Sequence, residues 1–380
     1  MPSSPSNPTP VPPAFDPRKC ENIHQLGGIR TGTLDTAGAG GAPGVRVALV
    51  DTGAGLRFTV ALDRGGDIVD AAFNAVGLAY LSPNGLRPPN AAFNQANEWL
   101  RNWAGGLVTT CGPEYVGGSR LEAGATTSLH GRFSNSPALV ESLRNPDLSR
   151  GNREMSLTLV VKDTRVFGPV LEIRRTVRCT LGVPEIIIED EVMNRGDTAS
   201  AHHWLYHCNL GYPLLDEGAR FVYRGPAQYW IVPPPAGQDI VQPLSPTELN
   251  QLKRVPAAMP EHAGAGERGV IIDTVNEKDG LCRVGLINDR LQVGLEFAFP
   301  AQALPRLAHW QHYGPNGSYV SALEPFYGSL LGSVRDGQRW VETTLAPGER
   351  RNYQLRIRVL KGANELAELS AYDGELNPVD

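Results

Sequence analysis

The stretch HHWLYHCNLGYP, residues 202–213, places three histidines within six residues of a chain that has only eight. Aromatic and apolar residues surround them and a Gly-Tyr-Pro turn closes the segment, which is typical of a strand that ends at a turn. In a strand, His203, Leu205 and His207 share one face. A histidine near a strand end is a natural proton donor or acceptor near neutral pH, so His207 is our first candidate for acid–base chemistry.

Two other interpretations of these histidines are open. One is a pair of part-buried histidines hydrogen-bonded inside a β-sandwich, although three in six residues favour a function. The other is a metal site, because two histidines and a carboxylate suit zinc. In a strand, His203 and His207 lie about 13 Å apart, too far for a shared ion without a bulge. The sequence therefore predicts no metal.

Glu324 is the second candidate, in the stretch YVSALEPFYG, residues 319–328. This is an apolar strand that ends with a carboxylate and is followed at once by proline. Phe326 and Tyr327 would partly remove water from the carboxyl, which raises its pKa and makes a better general base. The alternative is a surface glutamate before a turn, which the apolar neighbours disfavour.

A third segment, LHGR at residues 129–132, offers His130 beside a glycine that permits close approach and Arg132 with its planar donor fork. An ordinary loop histidine is an equally good interpretation.

The glycine-rich run GGLVTTCG, residues 105–112, lacks the Lys-Ser/Thr end of a phosphate-binding loop. It favours a close-packed strand lining a cleft. No Gly-x-Ser-x-Gly elbow supports a hydrolase triad.

The rest of the chain has the pattern of many short strands joined by turns, because its 42 Gly and 31 Pro residues separate short alternating runs. Residues 45–51 and 56–62 alternate as a strand pair, and residues 170–179 and 185–192 as a long antiparallel hairpin. Only short helices are indicated, near residues 246–252 and 364–369. Without strand–helix–strand alternation, the prediction is an all-β fold, a large antiparallel sandwich.

Composition limits the binding partners and the cellular location that the sequence predicts. Residues 1–18 are rich in Pro and Ser and predict a disordered tail without the features of a secretory signal, and residues 19–380 predict a single domain. The net charge of −5 gives no basic footprint for nucleic acid, and no 18-residue apolar run predicts a membrane span. Five scattered cysteines argue against a disulfide framework, so we expect a cytoplasmic protein. The basic run at residues 174–178 is interpreted as a solvated face.

Several segments together resemble the aldose 1-epimerase (galactose mutarotase) superfamily, and more narrowly its poorly characterised aldose-1-epimerase-like branch. The resemblance covers roughly residues 30–360, and its pieces occur in the family's order. They are DRGGDI (63–68), GGLVTTCG (105–112), LHGR (129–132), LYHCNLGYP (205–213), and the segment from Leu304-Pro305 through Trp310 to Leu323-Glu324-Pro325.

The resemblance implies a β-supersandwich with an open sugar cleft, and a reaction that needs no cofactor or metal. It implies that Glu324 is the general base, His207 the general acid and His130 a substrate-binding histidine. Glu324 would take the proton of the anomeric hydroxyl while His207 protonates the ring oxygen; the ring opens, the C1–C2 bond rotates and the ring recloses on the other face.

One position departs from the family. Classical members carry a sugar-contacting arginine in the strand region that leads to the glycine-rich segment, whereas here Ala104 directly precedes Gly105 and Gly106, so the binding arginine is unassigned. The predicted substrate-binding set therefore includes three candidate arginines and three further residues: Arg64, Arg101, Arg132, His203, Trp310 and Tyr212.

Three functions remain as hypotheses, all with a small-molecule sugar as partner. The leading one is an isomerase acting on the anomeric carbon of a free or modified aldose. The second is an epimerase or lyase that abstracts a proton next to a carbonyl of an oxidised sugar or uronate, which a convergence of the three arginines would favour. The third is a non-catalytic carbohydrate-binding protein. The fold alone does not choose among them.

Overall fold

A computed structural model describes residues 15–35, 44–119, 121–122, 125–332, 335 and 343–379. Antiparallel strands dominate these ranges, which confirms the predicted fold class. The α-helices with bounds inside the described ranges are α1 (Pro246–Gln251) and α2 (Gly362–Ser370), at the two places where the sequence predicts them. None of the described helices is long and apolar enough to cross a membrane.

The N-terminal part forms a five-stranded antiparallel sheet in simple chain order. Its strands are β1 (Gly28–Leu34), β2 (Val45–Asp51), β3 (Leu56–Ala61), β4 (Asp67–Phe73) and β5 (Val76–Gly77). The register between β2 and β3, with Val50 opposite Phe58, confirms the predicted strand pair.

The first large sheet has eight strands in the order β15-β19-β20-β24-β12-β11-β10-β9. Its bounds are β9 (Ala138–Arg144), β10 (Glu154–Thr164), β11 (Val170–Thr180), β12 (Glu185–Asn194), β15 (Arg220–Val222), β19 (Leu281–Asn288), β20 (Val293–Pro300) and β24 (Arg350–Lys361). Strands β11 and β12 pair antiparallel with Arg175 opposite Asp190, which confirms the predicted hairpin.

The second large sheet carries the histidine-rich segment and follows the order β17-β16-β18-β21-β22-β14-β6, with β25 parallel to β16. Its bounds are β6 (Thr109–Cys111), β14 (Trp204–Leu210), β16 (Gly225–Val232), β17 (Val241–Gln242), β18 (Glu267–Asp273), β21 (Arg306–Tyr313), β22 (Tyr319–Tyr327) and β25 (Leu376–Pro378). Two small pairs complete the described strands, β7 (Leu121–Glu122) with β8 (Ala125–Thr126) and β13 (Ser200–Ala201) with β23 (Thr344–Leu345).

The main core forms where the alternating inner faces of the sheets meet. Ile186 and Ile188 of β12 are buried there, as are Trp204 and Tyr206 of β14. Complete burial of side chains of this size contributes about 1.5–3 kcal/mol each. Because strand side chains alternate, the neighbours of Trp204 and Tyr206 on β14 point to the other face, where the candidate site lies.

One residue of the basic run 174–178 does not belong to a solvated face. Arg175 is completely buried and its guanidinium binds both carboxylate oxygens of Asp190 at 2.8 Å. The prediction was wrong here because strand alternation turns Arg175 inward, whereas Arg174 and Arg178 pair with exposed or half-buried glutamates on the outer face.

The described residues begin at Phe15, within the segment 1–18 that the sequence predicts to be a disordered tail. Residues 1–14 of that tail lie outside the described residues, but Phe15 packs against the main core and Arg153 lies over its ring.

All five cysteines are free, and Cys111, Cys179, Cys208 and Cys282 are buried.

Candidate active site

The register of two neighbouring strands brings the two leading candidates together. Leu205 lies opposite Phe326 and Cys208 opposite Leu323, so the same register places His207 opposite Glu324. The next residue, Pro325, has no N–H for the ladder. His207 Nε2 lies 3.2 Å from Glu324 Oε1, and the two residues are only 5% and 2% exposed. The structure therefore places a titratable pair on the face of the sheet opposite the main core.

Aromatic rings surround this pair. The ring of His207 lies 5.7 Å from Trp103 and 5.5 Å from Trp310, measured between centroids. Trp99 stacks on Trp103 at 5.5 Å. Trp103 and Trp310 are half-buried, so their surfaces remain accessible to a ligand. A sugar ring presents C–H groups that pack well on such surfaces, and aromatic packing adds about 0.5–1.5 kcal/mol beyond burial.

His130 reaches the pair from a turn far away in the sequence. Its φ of 57° is in the left-handed region, and Gly131 follows at 78°. The turn is held by the backbone, because His130 N donates to Gly117 O and Gly112 N donates to His130 O. Its ring meets the ring of His207 edge-on at 5.5 Å. Three of the sequence candidates, His130, His207 and Glu324, are thus brought to one place.

A second carboxyl group, which sequence reasoning missed, lies beside the pair. Glu267 at the start of β18 accepts a 2.7 Å hydrogen bond from Trp310 Nε1. Burial raises the pKa of Glu267. No local sequence signal marks this glutamate, because its partner is 43 residues away and only the pairing of β18 with β21 joins them.

Burial dominates the protonation of the site. It raises the pKa of Glu324 well above the usual value, and the nearby carboxyl of Glu267 raises it further. Burial also lowers the pKa of His207 well below its usual value, and His130 adds to that effect. The pKa of His130 itself is lowered to about 4 by burial. The desolvated surroundings therefore favour the neutral form of each of these groups.

The glycine-rich segment supports the site from one side. Only Thr109–Cys111 of it is a strand, while Gly105 and Gly106 have φ values of 76° and 102°, so the predicted strand is shorter than expected. A Cβ atom at Gly106 would lie 2.5 Å from Ile68 O, which explains why the turn needs glycine. Thr109 then lies opposite His207 and accepts a 3.1 Å hydrogen bond from Trp103 Nε1.

Two other predicted binding residues are placed differently. The ring of His203 is held by Ser329 N at 3.3 Å and by Thr343 Oγ1 at 3.2 Å. Being four residues from His207 along an extended chain, it lies about 13 Å away along the strand direction. Tyr212 follows β14 in a turn and is 71% exposed. His203 is thus displaced along the strand from the pair of His207 and Glu324, and Tyr212 lies beyond the end of the strand.

The three candidate arginines do not converge on the pair. Arg64 is buried and donates to the backbone carbonyls of Ser134, Arg87 and Asn102. Arg132 binds the carboxylates of Glu114 and Asp163. Arg101 is largely exposed beside Glu98. These guanidinium groups share no acceptor. The convergence of the three arginines, which would favour an anionic ligand, is therefore not seen.

A buried ionic cluster lies directly behind the site. Arg175 Nη2 donates to Thr110 Oγ1 at 2.8 Å, and Tyr206 Oη donates to Asp190 Oδ2 at 2.6 Å. Asp67 accepts from Thr110 N, and burial raises its pKa to about 6. Since Thr110 and Tyr206 flank Thr109 and His207, the cluster fixes the two site strands to the opposite sheet.

Two further features bear on what could bind. Among the described residues, no group of three or more His, Cys, Asp or Glu side chains is arranged to hold a metal ion. Grooves of about 640 Å³ beside α1 and about 490 Å³ on the outer face of the first large sheet lie elsewhere, and neither is lined by His207 or Glu324. Neither groove is lined by a histidine, so neither brings a histidine and a carboxylate together as the pair of His207 and Glu324 does.

Comparison with known proteins gives one family and a set of similar folds. The model of a family described as a domain of unknown function, DUF4432, matches residues 42–359. No curated protein matches the chain in sequence.

Solved structures match over most of the chain. A candidate aldose 1-epimerase from Klebsiella pneumoniae has a TM-score of 0.79 at 18% identity, covering 94% of this chain and 93% of that one. A galactose mutarotase-like protein from Clostridium acetobutylicum has a TM-score of 0.60 at 11% identity, covering 89% and 100%. A candidate aldose 1-epimerase from Escherichia coli has a TM-score of 0.52 at 14% identity, covering 88% and 100%. At these identities the matches establish the galactose mutarotase-like β-sandwich fold.

Proposed function

We propose that this chain, which belongs to the DUF4432 family of domains of unknown function, is a sugar isomerase that interconverts the α and β anomers of an aldose. The observation that carries the proposal is the 3.2 Å contact between His207 Nε2 and Glu324 Oε1 beside half-buried tryptophans. The similarity in fold to candidate aldose 1-epimerases supports it.

Mutarotation needs one group that removes the proton of the anomeric hydroxyl and one that protonates the ring oxygen. The bond between C1 and the ring oxygen then breaks, and closure on the other face of the carbonyl reverses both transfers. Two adjacent titratable groups supply both functions, and each positioned proton transfer typically contributes about 10²–10⁴ in rate. Glu324 and His207 are the pair in this proposal, with His130 beside them as a substrate contact.

The surroundings of the pair fit a flat, largely uncharged ligand. Trp103 and Trp310 both offer apolar surface next to His207, and their own rings meet edge-on with centroids 6.3 Å apart. Because the three candidate arginines are engaged by other groups, the uronate alternative has no supporting observation among the described residues. A binding protein without catalysis would need no titratable pair at this position.

The test is two-dimensional NMR exchange spectroscopy on a panel of reducing sugars, neutral and acidic, with catalytic amounts of protein. Faster exchange between the α and β signals of at least one sugar is the expected result. Binding without faster exchange for any sugar in the panel would overturn the isomerase and favour a carbohydrate-binding protein.

A further inference from the structure

The ring of His312 contacts a backbone carbonyl on each side. His312 lies two residues after Trp310 on β21 and on the same face of the sheet. Its Nδ1 lies 2.7 Å from Ser318 O, and its Nε2 lies 2.9 Å from Gly264 O. A carbonyl oxygen only accepts hydrogen bonds, whereas a neutral imidazole has a single N–H group. Both hydrogen bonds therefore require a proton on each nitrogen, which makes the ring an imidazolium.

The two carbonyls belong to segments that border the candidate site. Ser318 ends the β21–β22 turn, and its carbonyl also accepts a 3.2 Å hydrogen bond from Gly314 N. A Cβ atom at Gly314 would lie 2.8 Å from Cε1 of His312, so the turn needs glycine to come this close. Gly264 belongs to the loop that leads into β18. One side chain thus fastens two separate segments to β21.

The β21–β22 turn also reaches the other wall of the site. Tyr80 Oη donates to Gly317 O at 3.3 Å, and the ring of Tyr80 lies 5.7 Å from the ring of Trp103. On the opposite side, the ring of His312 lies 6.1 Å from that of Trp310. The turn therefore joins the two tryptophans beside the titratable pair through a continuous chain of contacts.

The nearest acid is Glu267 on the neighbouring strand. The register of β18 and β21 ends with Arg268 opposite Gln311, which places Glu267 across from His312. Burial raises the pKa of Glu267, while its hydrogen bond from Trp310 and the positive charge of His312 act against that rise. Attraction between the half-buried carboxyl group and the ring favours the charged form of each.

The other titratable groups beside His312 do not compete for its protons. The ring of His262 lies 5.9 Å away, accepts from Tyr313 N at 2.9 Å, and has its pKa lowered to about 4 by burial, so it is neutral near pH 7. Glu261 beside it is exposed. Arg268 points to the other face of β18, where it binds a glutamine of β21. The β21–β22 turn, residues 314–318, contains no titratable side chain.

We propose that His312 is a doubly protonated positioning residue, which pins the β21–β22 turn and the loop before β18 and thereby holds Trp310 and Glu267 in place for a sugar. Loss of one of its protons breaks one of the two hydrogen bonds and loosens this end of the site. Sugar binding and protonation of His312 are therefore linked. The effect on the sugar rests on the proposed function, whereas the protonation of His312 is a property of the free protein.

NMR of protein with ¹⁵N-labelled histidine at pH 7, without any sugar, tests the protonation directly. The signals of His312 are assigned through their contacts with the ring of Trp310. We expect both ring nitrogens to be protonated, at a pH at which a histidine free in water is mostly neutral. A neutral ring with one bare nitrogen would overturn the proposal. This readout does not depend on any activity.

The link to the site is tested by anomeric exchange of D-glucose and D-galactose at pH 6 and pH 8. We expect the KM of wild type to rise about 3- to 10-fold between these values, which corresponds to the loss of one hydrogen bond. In His312→Gln, which does not titrate, KM should be the same at both values and above that of wild type at pH 6. At each pH, kcat should change little, because His207 and Glu324 are intact.

Two comparisons keep the outcomes separate. His24→Gln, which replaces a half-buried histidine of the N-terminal segment, should keep the pH dependence of wild type. Tyr80→Phe removes the other fastening of the turn and should raise KM at both pH values. A KM of His312→Gln that still follows pH as in wild type would overturn the link. Absence of faster exchange with wild type would count against the proposed function alone, because the protonation of His312 is measured without sugar.

Discussion

His207 and Glu324 lie opposite each other on adjacent antiparallel strands, with Nε2 and Oε1 3.2 Å apart. A register shift of one residue would send one of the two side chains into the main core, so the pair depends on the hydrophobic alternation of β14 and β22. Both strands are buried along nearly their whole length, which makes the position of the pair rigid.

The two residues should behave as one catalytic unit. His207→Gln should lower kcat/KM for mutarotation by about 10²–10⁴, because glutamine cannot exchange a proton. Adding Glu324→Gln should cause little further loss, since residues that act together are strongly non-additive. The measurement is the anomeric exchange rate of both single variants and the double variant. Losses that multiply would show that the two residues act independently.

Trp310 should contribute to binding through its ring and to the site through its N–H. Trp310→Phe keeps an aromatic surface but removes the donor to Glu267, whereas Trp310→Ala removes both. We expect Trp310→Ala to raise KM about 2- to 10-fold above that of Trp310→Phe, which corresponds to the usual value of aromatic packing. Equal KM values in steady-state measurements would mean that the ring does not contact the sugar.

The buried ionic cluster should be essential for stability. Arg175→Met leaves Asp190 and Asp67 buried without their cation, which should lower the free energy of unfolding by about 3–5 kcal/mol. The adjacent Arg174→Met is the matched control, because its ion pair with Glu141 is exposed and is worth at most about 1 kcal/mol. Urea unfolding of the two variants makes the comparison, and equal losses would contradict the structural role of Arg175.

His130 should make the protein sensitive to acid. Its pKa is lowered to about 4 in the folded state, so between pH 6.5 and pH 4 the unfolded chain binds a proton that the folded chain does not. Stability therefore falls as the pH falls through this range, by roughly 1–2 kcal/mol at pH 5 for this one group.

His130→Gln removes that titration. The difference in the free energy of unfolding between pH 7 and pH 5 should be smaller in the variant than in the wild type by that amount. Urea unfolding at the two pH values measures it. The same pH dependence in both proteins would mean that the folded protein does not hold His130 in its neutral form.

The strands were largely predictable and the contacts between them were not. Alternation of apolar residues located β2, β11 and β12, because local periodicity reflects which side chains are buried. The same alternation does not show which strands from distant parts of the chain become neighbours. The role of Glu267 could not be found for that reason.

The arginines are a second example in which the sequence does not show which groups from distant segments become neighbours. A guanidinium group in the sequence is equally compatible with a ligand, a carboxylate or a backbone carbonyl. Arg64 and Arg132 bind the protein itself, and Arg175, interpreted as part of a solvated face, lies in the interior. Sheet order, which is set by non-local pairing, decides among these roles.

Anomeric exchange of the best sugar in the panel tests the central claim most directly. It is measured by NMR with equal amounts of wild type, Glu324→Gln and the exposed control Glu154→Gln. The account predicts accelerated exchange with wild type and the control, and a loss of about 10²-fold or more with Glu324→Gln in a folded protein. Full activity in Glu324→Gln would contradict the account.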